Sequence, residues 1–219
     1  MKEIEVEFPL ANINLDSVIR GVSERFALPL VRRGLTHVKD SFLDTEDFKL
    51  LARRCSFRVR QKLEDIYRGL EVRLTFKYPL EDHEFLLIRE ELKLKTKVES
   101  VGQILEFFGG AAHAMLDQRF EVKLNVEESS TEVYLGKAGG ILNVSYDRMR
   151  ILDPRQTGSV LSENALEIED HGIGRECLIE VKEFIEETYG LVPSVETKYC
   201  RGLRLLHLNP AASSASEGA

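Results

Sequence analysis

Residues 56–61 read Ser-Phe-Arg-Val-Arg-Gln, and residues 70–77 read Leu-Glu-Val-Arg-Leu-Thr-Phe-Lys. Both stretches alternate apolar and polar residues, which is the pattern of a half-buried β-strand. The polar face of the predicted hairpin carries cations from both strands: Arg58, Arg60, Arg73 and Lys77. Such a face is either exposed to solvent or forms the floor of an anion-binding site, and the rest of the chain has to distinguish these interpretations.

The composition is that of an ordinary globular protein. The 219 residues are 43% hydrophobic and 31% charged, which supports a sizeable core and argues against bulk disorder. The net charge of −7 argues against a general nucleic-acid binder but is compatible with a local basic pocket. The three cysteines match no zinc or disulfide pattern, and no apolar run is long enough for a membrane span or a signal peptide. We therefore expect a reduced, soluble, cytoplasmic protein.

Alternation recurs along the chain and predicts a mainly β fold. Further strands are predicted at residues 2–8, 35–43, 85–95, 119–125, 131–135, 141–148 and 165–169. Helical spacing predicts helices at residues 15–26, 46–54, 99–108 and 175–189, and a long loop is expected at residues 153–164. About eight strands outnumber the helices. We therefore predict an α+β fold, a closed eight-stranded antiparallel barrel with helices packed outside, as one domain over residues 1–208 with a disordered tail at 209–219.

The charged faces of the strands have two interpretations. Each can be the solvated side of an antiparallel strand. In a closed barrel with helices outside, however, the apolar faces point outward and the charged faces line the interior. An interior with many cations and carboxylates is too costly if it is dry and empty. It suits a wet lumen that binds a polyanion on the cations and a divalent metal on the acids.

Five short motifs, in order along the chain, resemble the CYTH superfamily, also called the triphosphate tunnel metalloenzymes. They are Glu3-x-Glu5, the Phe-Leu-Asp-Thr of residues 42–45 leading to Arg58-x-Arg60, the Leu-Thr-Phe-Lys of residues 74–77, Glu167-x-Glu169, and residues 198–202. The resemblance implies an eight-stranded antiparallel barrel that forms a tunnel. Members of the family include thiamine triphosphatases, inorganic triphosphatases, RNA triphosphatases and one class of adenylate cyclases.

The resemblance also implies roles for individual residues. The implied ligands of a Mg²⁺ or Mn²⁺ ion are Glu3, Glu5, Asp147, Glu167 and Glu169. The implied triphosphate ligands are Arg58, Arg60, Lys77, Arg89, Arg119, Lys198 and Arg201. The implied catalytic residues are Lys77, Arg58 and Glu5. The expected partner is a small molecule that bears a triphosphate, with no membrane and no general nucleic-acid binding, and a homodimer is left open.

One residue departs from the family pattern. The opening signature of the family is Glu-x-Glu-x-Lys, whereas the fifth position here is Glu7. This acid can pair with a neighbouring cation, add a metal ligand, weaken triphosphate binding or lie at a solvated rim. The function is therefore predicted as a metal-dependent triphosphatase, with three alternatives: an adenylate cyclase, a non-catalytic polyphosphate or nucleotide binder, and a barrel whose charged faces are merely solvated.

Overall fold

The computed structural model describes residues 2–9, 12–62, 71–97, 120–137, 139–156 and 160–208. The strands are β1 (Lys2–Pro9), β2 (Leu30–Thr45), β3 (Ser56–Lys62), β4 (Glu71–Glu81), β5 (Leu87–Lys97), β6 (Phe120–Lys137), β7 (Gly140–Leu152) and β8 (Val160–His171). The helices are α1 (Leu15–Phe26), α2 (Lys49–Ala52), α3 (Arg175–Tyr189) and α4 (Lys198–Leu205). Within these ranges, no helix has the length and apolar composition needed to cross a membrane.

The eight strands form one closed sheet in which every neighbouring pair is antiparallel. The order around the barrel is β1-β5-β4-β3-β2-β6-β7-β8, and β8 pairs with β1 to close it. Closure satisfies the backbone groups that the outer strands of an open sheet would leave unpaired. The prediction of an α+β fold built on a closed eight-stranded antiparallel barrel is confirmed.

The main apolar core lies between the outer surface of the barrel and its helices. Helices α1 and α3 bury one apolar stripe each against outward-facing side chains of β1, β7 and β8. The fully buried members of this core include Val6, Phe8, Val18, Val22, Leu142, Val144, Leu166, Ile168, Leu178, Val181 and Ile185. Because successive side chains of a strand point to opposite faces, the charged residues between these apolar positions face the lumen.

Helix α4 closes one end of the barrel. Its residues Tyr199 and Leu203 are buried against Leu124 and Val126 of β6 and against Phe42 of β2. The rings of Tyr199 and Phe42 stack with their centroids 5.5 Å apart. The helix begins after Thr197, whose hydroxyl accepts a hydrogen bond from the Cys200 N–H, so that the first turn is capped at the lumen.

The carboxylate of Asp44 holds this end of the barrel together. It is fully buried and accepts hydrogen bonds from the backbone N–H groups of Leu50 and Leu51 in α2, at 2.9 and 3.0 Å. It also accepts one from the hydroxyl of Tyr199 in α4, at 3.0 Å, and the buried hydroxyl has a raised pKa. One side chain at the end of β2 therefore anchors two helices, which explains the place of Asp44 in the sequence motif.

Several predicted boundaries are wrong. The two strands predicted at 119–125 and 131–135 are one strand, β6, because residues between them, such as Glu127 to Ser130, pair with both β2 and β7. The predicted loop at 153–164 ends earlier, since β8 begins at Val160, and the helix predicted at 46–54 is limited to Lys49–Ala52. The helix predicted at 99–108, the phosphate ligand Arg119 and the tail at 209–219 lie outside the described residues.

Candidate functional site

The lumen contains a cavity of about 260 Å³ that is lined almost entirely by polar side chains. All eight strands contribute to it, and the first turn of α4 adds Lys198 and Tyr199. Most of the sequence-predicted site residues meet here: Glu3, Glu5, Arg58, Arg60, Lys77, Arg89, Asp147, Glu167, Glu169 and Lys198. The charged faces of these strands therefore form an interior rather than an outer, solvated surface.

The cations lie together on the adjacent strands β3, β4 and β5. Arg60 pairs in register with Arg73, and Thr75 pairs with Lys93, so that neighbouring strands present their polar residues side by side. The members of this cationic wall are Arg58, Arg60, Arg73, Lys77, Arg89 and Lys93. Arginine forks and lysine point charges on one surface match the oxygens of a polyphosphate.

An acidic cluster lies beside this wall, on β1 and β8. Glu5 and Glu7 of β1 pair in register with Glu169 and Glu167 of β8. Ligand atoms of Glu5, Glu7 and Glu167 lie within 4.8 Å of one another, close enough to share one cation. Three carboxylates are hard oxygen ligands of the kind that Mg²⁺ and Mn²⁺ prefer, so the donor set fits such an ion.

Burial raises the pKa values of two of these acids. Burial raises the pKa of Glu5 to about 7, and the charges of Glu3 and Glu7 add to the effect against the opposing charge of Arg89. Burial, followed by the charge of Glu5, raises the pKa of Glu167 well above its usual value. The Oε2 atom of Glu5 is buried and has no hydrogen-bond partner among the described residues. A bound cation would favour the ionised form of each acid.

Glu3 has a different environment from Glu5. Its carboxylate accepts a hydrogen bond from Lys77 Nζ at 2.6 Å and lies 3.2 Å from Arg89 Nη2, which also binds Glu5. Burial alone would raise its pKa, but the charges of Lys77 and Arg89 outweigh burial and hold the pKa at about 2. Glu3 thus positions Lys77 and Arg89, whereas Glu5 and Glu7 of β1 and Glu167 of β8 form the acidic cluster.

Two further buried acids, Asp40 and Glu128, take part in the ion-pair network of the lumen. Asp40 accepts from Arg58 at 3.2 Å and from Arg60 at 2.7 Å, and despite its burial these cations hold its pKa well below the usual range. Glu128 pairs with Arg60 at 3.3 Å and with Lys198. The alternation of β2 could have identified Asp40, because it lies two residues before Phe42 and therefore on the same strand face. Glu128 could not be identified in this way, because it lies between the two strands predicted at 119–125 and 131–135.

Lys198 connects the cap helix to the lumen. Its Nζ atom lies 3.1 Å from Asp147 Oδ2 and also contacts Glu128. These acids raise the pKa of Lys198 against the opposing effect of burial, so the side chain stays charged. The Oδ1 atom of Asp147 is buried without a hydrogen-bond partner among the residues described. Lys198 therefore brings a cation from α4 beside an acid with unused hydrogen-bonding capacity.

Arg201 does not line the cavity, unlike the other predicted ligands that the structure describes. It is almost fully buried, and its guanidinium binds Glu7 of β1 and, at 2.9 Å, Glu163 of β8. Glu7 therefore pairs with a neighbouring cation and also belongs to the acidic cluster. In this arrangement Arg201 positions Glu7 rather than facing a ligand.

The cavity is more open at the end of the barrel away from α4. At the α4 end, the side chain of Asp40 is 0% exposed and that of Lys198 is 13% exposed. The exposed fraction rises to 37% for Lys93 and 41% for His171 at the other end, where His171 Nε2 lies 3.2 Å from Glu169 Oε2. We call this second end the open end.

Comparisons with known proteins agree with this geometry. A model of the CYTH domain matches residues 1–202. Among solved structures, a candidate adenylate cyclase from Bacillus halodurans has a TM-score of 0.54 at 18% identity and covers 91% of this chain and 97% of its own. A candidate adenylyl cyclase from Hippeastrum, described as having a dominant triphosphatase activity, has a TM-score of 0.55 at 16% identity, with 95% and 98% coverage.

A third similar structure is a protein from Pyrococcus horikoshii OT3, with a TM-score of 0.56 at 19% identity and coverage of 93% of this chain and 99% of its own. At these identities the likeness concerns the fold. No curated protein sequence matches the chain.

Proposed function

Because the chain belongs to the CYTH domain family, we propose that it is a divalent-metal-dependent triphosphatase that hydrolyses a phosphoanhydride bond of a substrate held in the lumen. The observation that carries this proposal is the placement of a cationic wall beside an acidic cluster inside one closed barrel. The substrate is inorganic tripolyphosphate, thiamine triphosphate or a nucleoside triphosphate. The triphosphatase activity named for the Hippeastrum protein, which shares the fold, supports this choice of reaction.

The triphosphate is bound by the cationic wall together with Lys198. In the free protein these cations pair with internal acids, for example Lys77 with Glu3 and Arg60 with Asp40. Phosphate oxygens would share or replace those carboxylate partners. Arg58 has a buried Nε atom without a hydrogen-bond partner among the described residues, so it keeps a donor for the ligand. Arg119 stays a predicted phosphate ligand.

The residues Glu5, Glu7 and Glu167 would hold the divalent cation, with Glu3, Asp147 and Glu169 as further acids near them. A bound Mg²⁺ or Mn²⁺ supplies Lewis-acid stabilisation of the negative charge on phosphate oxygens. The protein contributes by fixing positions. Arg201 forms an ion pair with Glu7, and Arg89 forms one with Glu5. These contacts would orient the carboxylates before a ligand enters.

Catalysis would be mainly electrostatic. Hydrolysis of a phosphoanhydride spreads negative charge over the transferred phosphoryl group and the leaving oxygens, and cations placed in advance stabilise that charge. Lys77 and Arg58 are the residues that we assign to this role, because both belong to the cationic wall and both are held by buried carboxylates. The α4 end of the lumen would exclude bulk water from the phosphates.

The test is phosphate release from tripolyphosphate, thiamine triphosphate, ATP and GTP, each with Mg²⁺ and Mn²⁺. We expect Lys77→Ala and Arg58→Ala to lower kcat/KM on the order of 100-fold or more, because each removes a charge that stabilises the transition state. The matched control is Arg150→Ala, which removes an arginine from β7 that is exposed and paired with Glu127. Unchanged activity of either lumen variant would contradict the assignment.

The same panel separates the alternatives. Cyclic AMP as the product from ATP would identify a cyclase, whereas ADP and phosphate identify hydrolysis. Tight binding of tripolyphosphate in calorimetry without turnover under either metal would identify a non-catalytic binder. No binding and no rise in melting temperature with any anion would mean that the lumen charges are merely solvated.

A further inference from the structure

The lumen has a second wall near the open end, formed by side chains that include no lysine or arginine. Three side chains from neighbouring strands form a row across it: Tyr134 of β6, Asn143 of β7 and Glu169 of β8. All three line the cavity. Side chains directly opposite one another on adjacent antiparallel strands lie about 5 Å apart, so this row is a continuous surface. We call it the amide row.

Neighbouring residues hold both ends of the amide row. The hydroxyl of Tyr134 donates to Glu132 Oε2 at 2.8 Å, and the Arg32 guanidinium lies 4.5 Å from the centre of its ring. At the other end Glu169 lies 3.2 Å from His171 Nε2. Glu132 and His171 also line the cavity. The side chains at the ends of the row are therefore fixed by partners, as in a preorganised binding surface.

Asn143, in the middle of the row, is not satisfied. Its Oδ1 atom is buried and has no hydrogen-bond partner among the residues that the structure describes. Buried polar atoms in native proteins nearly always have a partner, and a ligand can supply one. The partner of an amide oxygen must be a hydrogen-bond donor. The carboxylates of Glu132 and Glu169 beside it also accept hydrogen bonds, so this wall favours hydrogen-bond donors.

The two walls thus differ in the ligand groups that they favour. The cationic wall attracts phosphate, whereas the amide row offers a phosphate no lysine or arginine and places the acid Glu169 beside it. We propose that the amide row recognises the organic group of the substrate, and that this group is a ring bearing an amino group. The inference rests on the proposed function, since it assumes a triphosphate on the opposite wall. It makes Asn143 a specificity-determining residue and disfavours inorganic tripolyphosphate as the best substrate.

The test uses two substrate pairs that differ only by an amine or a carbonyl on the ring: ATP against inosine triphosphate, and thiamine triphosphate against oxythiamine triphosphate. In at least one pair we expect the wild-type kcat/KM to favour the amine on the order of tenfold, the usual effect of one hydrogen bond on discrimination. Asn143→Ala should bring this ratio close to one, mainly through KM. Asn125→Ala is the matched control, because Asn125 lies on the same barrel outside the cavity and accepts a hydrogen bond from Ser41.

A second variant, Asn143→Leu, keeps the branched shape and the number of side-chain heavy atoms, and it serves if the alanine variant is unstable. A ratio near one in wild type for both pairs, or a preference that survives in a folded Asn143 variant, would overturn the proposal. Calorimetry on the same samples compares the Kd values of each pair. If the protein releases no phosphate from any substrate, the proposed function is contradicted. The Kd values still test the amide row in that case, because tighter binding of the amine member of a pair supports its role and equal binding contradicts it.

Discussion

Two glutamates on one strand show how strongly the lumen distinguishes between identical side chains. Glu163 and Glu167 lie four residues apart on the same face of β8. Glu163 accepts a hydrogen bond from Arg201 at 2.9 Å. Glu167 makes no ion pair with any described residue, and burial together with the charge of Glu5 raises its pKa. The carboxylate of Glu163 therefore stabilises the fold, whereas the ionised carboxylate of Glu167 in the acidic cluster lowers its stability.

We predict opposite effects of the same substitution at these positions. In metal-free protein at pH 8, Glu167→Gln should raise the free energy of unfolding, because it removes a carboxylate whose ionised form is disfavoured by burial and by the charge of Glu5. Glu163→Gln should lower it by roughly 3 kcal/mol, the usual cost of removing one partner of a buried ion pair. Urea denaturation in the presence of a chelator measures both.

The effect of Glu167→Gln should depend on pH in a defined direction. A carboxyl group whose pKa is raised by folding costs nothing below its unfolded pKa, near 4.5, and lowers stability as the pH rises from there towards the folded pKa. The stability gained over wild type should therefore be larger at pH 8 than at pH 5. An equal difference at both values, or a destabilised Glu167→Gln variant, would show that the carboxylate is paired in solution.

At the level of elements, helix α4 decides what the α4 end of the lumen contains. It carries Lys198 into the cavity and Arg201 onto Glu7. The helix comes this close to the barrel because Gly202 has no side chain: a Cβ atom there would lie 2.4 Å from Leu124 Cδ2. Leu124 is fully buried, so it has little room to move away.

We predict that Gly202→Ala destabilises the protein even though alanine favours helix. The gain in helix propensity is about 1 kcal/mol, whereas overpacking a filled core costs typically 1–3 kcal/mol. The free energy of unfolding should fall, and kcat/KM should fall with it because Lys198 moves with the helix. Gly34→Ala on β2 is the control, since a Cβ there meets no atom within 4 Å. A more stable Gly202→Ala variant would mean that α4 packs more loosely than described.

At the level of the whole molecule, the barrel holds two groups of opposite charge within one lumen. The cationic wall is partly neutralised by Glu3, Asp40 and Glu128, while Glu5 and Glu167 have raised pKa values because they are buried close together. A polyanion alone would compete with the acids that already hold the cations. A divalent ion alone would relieve only the acidic cluster.

We therefore predict that tripolyphosphate and Mg²⁺ stabilise the protein cooperatively. The rise in melting temperature with both ligands should exceed the sum of the two separate rises, because each ligand reduces the electrostatic cost of binding the other. Thermal melting with the four ligand combinations measures this, and Lys77→Ala should reduce the effect of tripolyphosphate. Strictly additive shifts would mean that the two ligands bind independently.

The fold class and the chemical character of the lumen follow from local patterns in the sequence. Alternation along Ser56–Lys62 and the β1 and β8 acids followed from a period of two, which any strand imposes locally. The same local signals failed in β6, whose polar middle residues pair with strands on both sides. Pairing partners outweigh local propensity there, and a single sequence contains no record of them.

Which charges meet depends on contacts between residues that are far apart in the chain. Glu7 and Arg201 are separated by 194 positions, and Lys198 lies 70 positions from Glu128. Barrel closure brings β1 beside β8, and the packing of α4 then sets which cation each acid contacts. The energy of a buried charge depends on distances of a few ångströms to its neighbours. Two glutamates therefore differ in pKa: Glu3, which binds two cations, has a lowered pKa, and Glu167, which belongs to the acidic cluster, has a raised one.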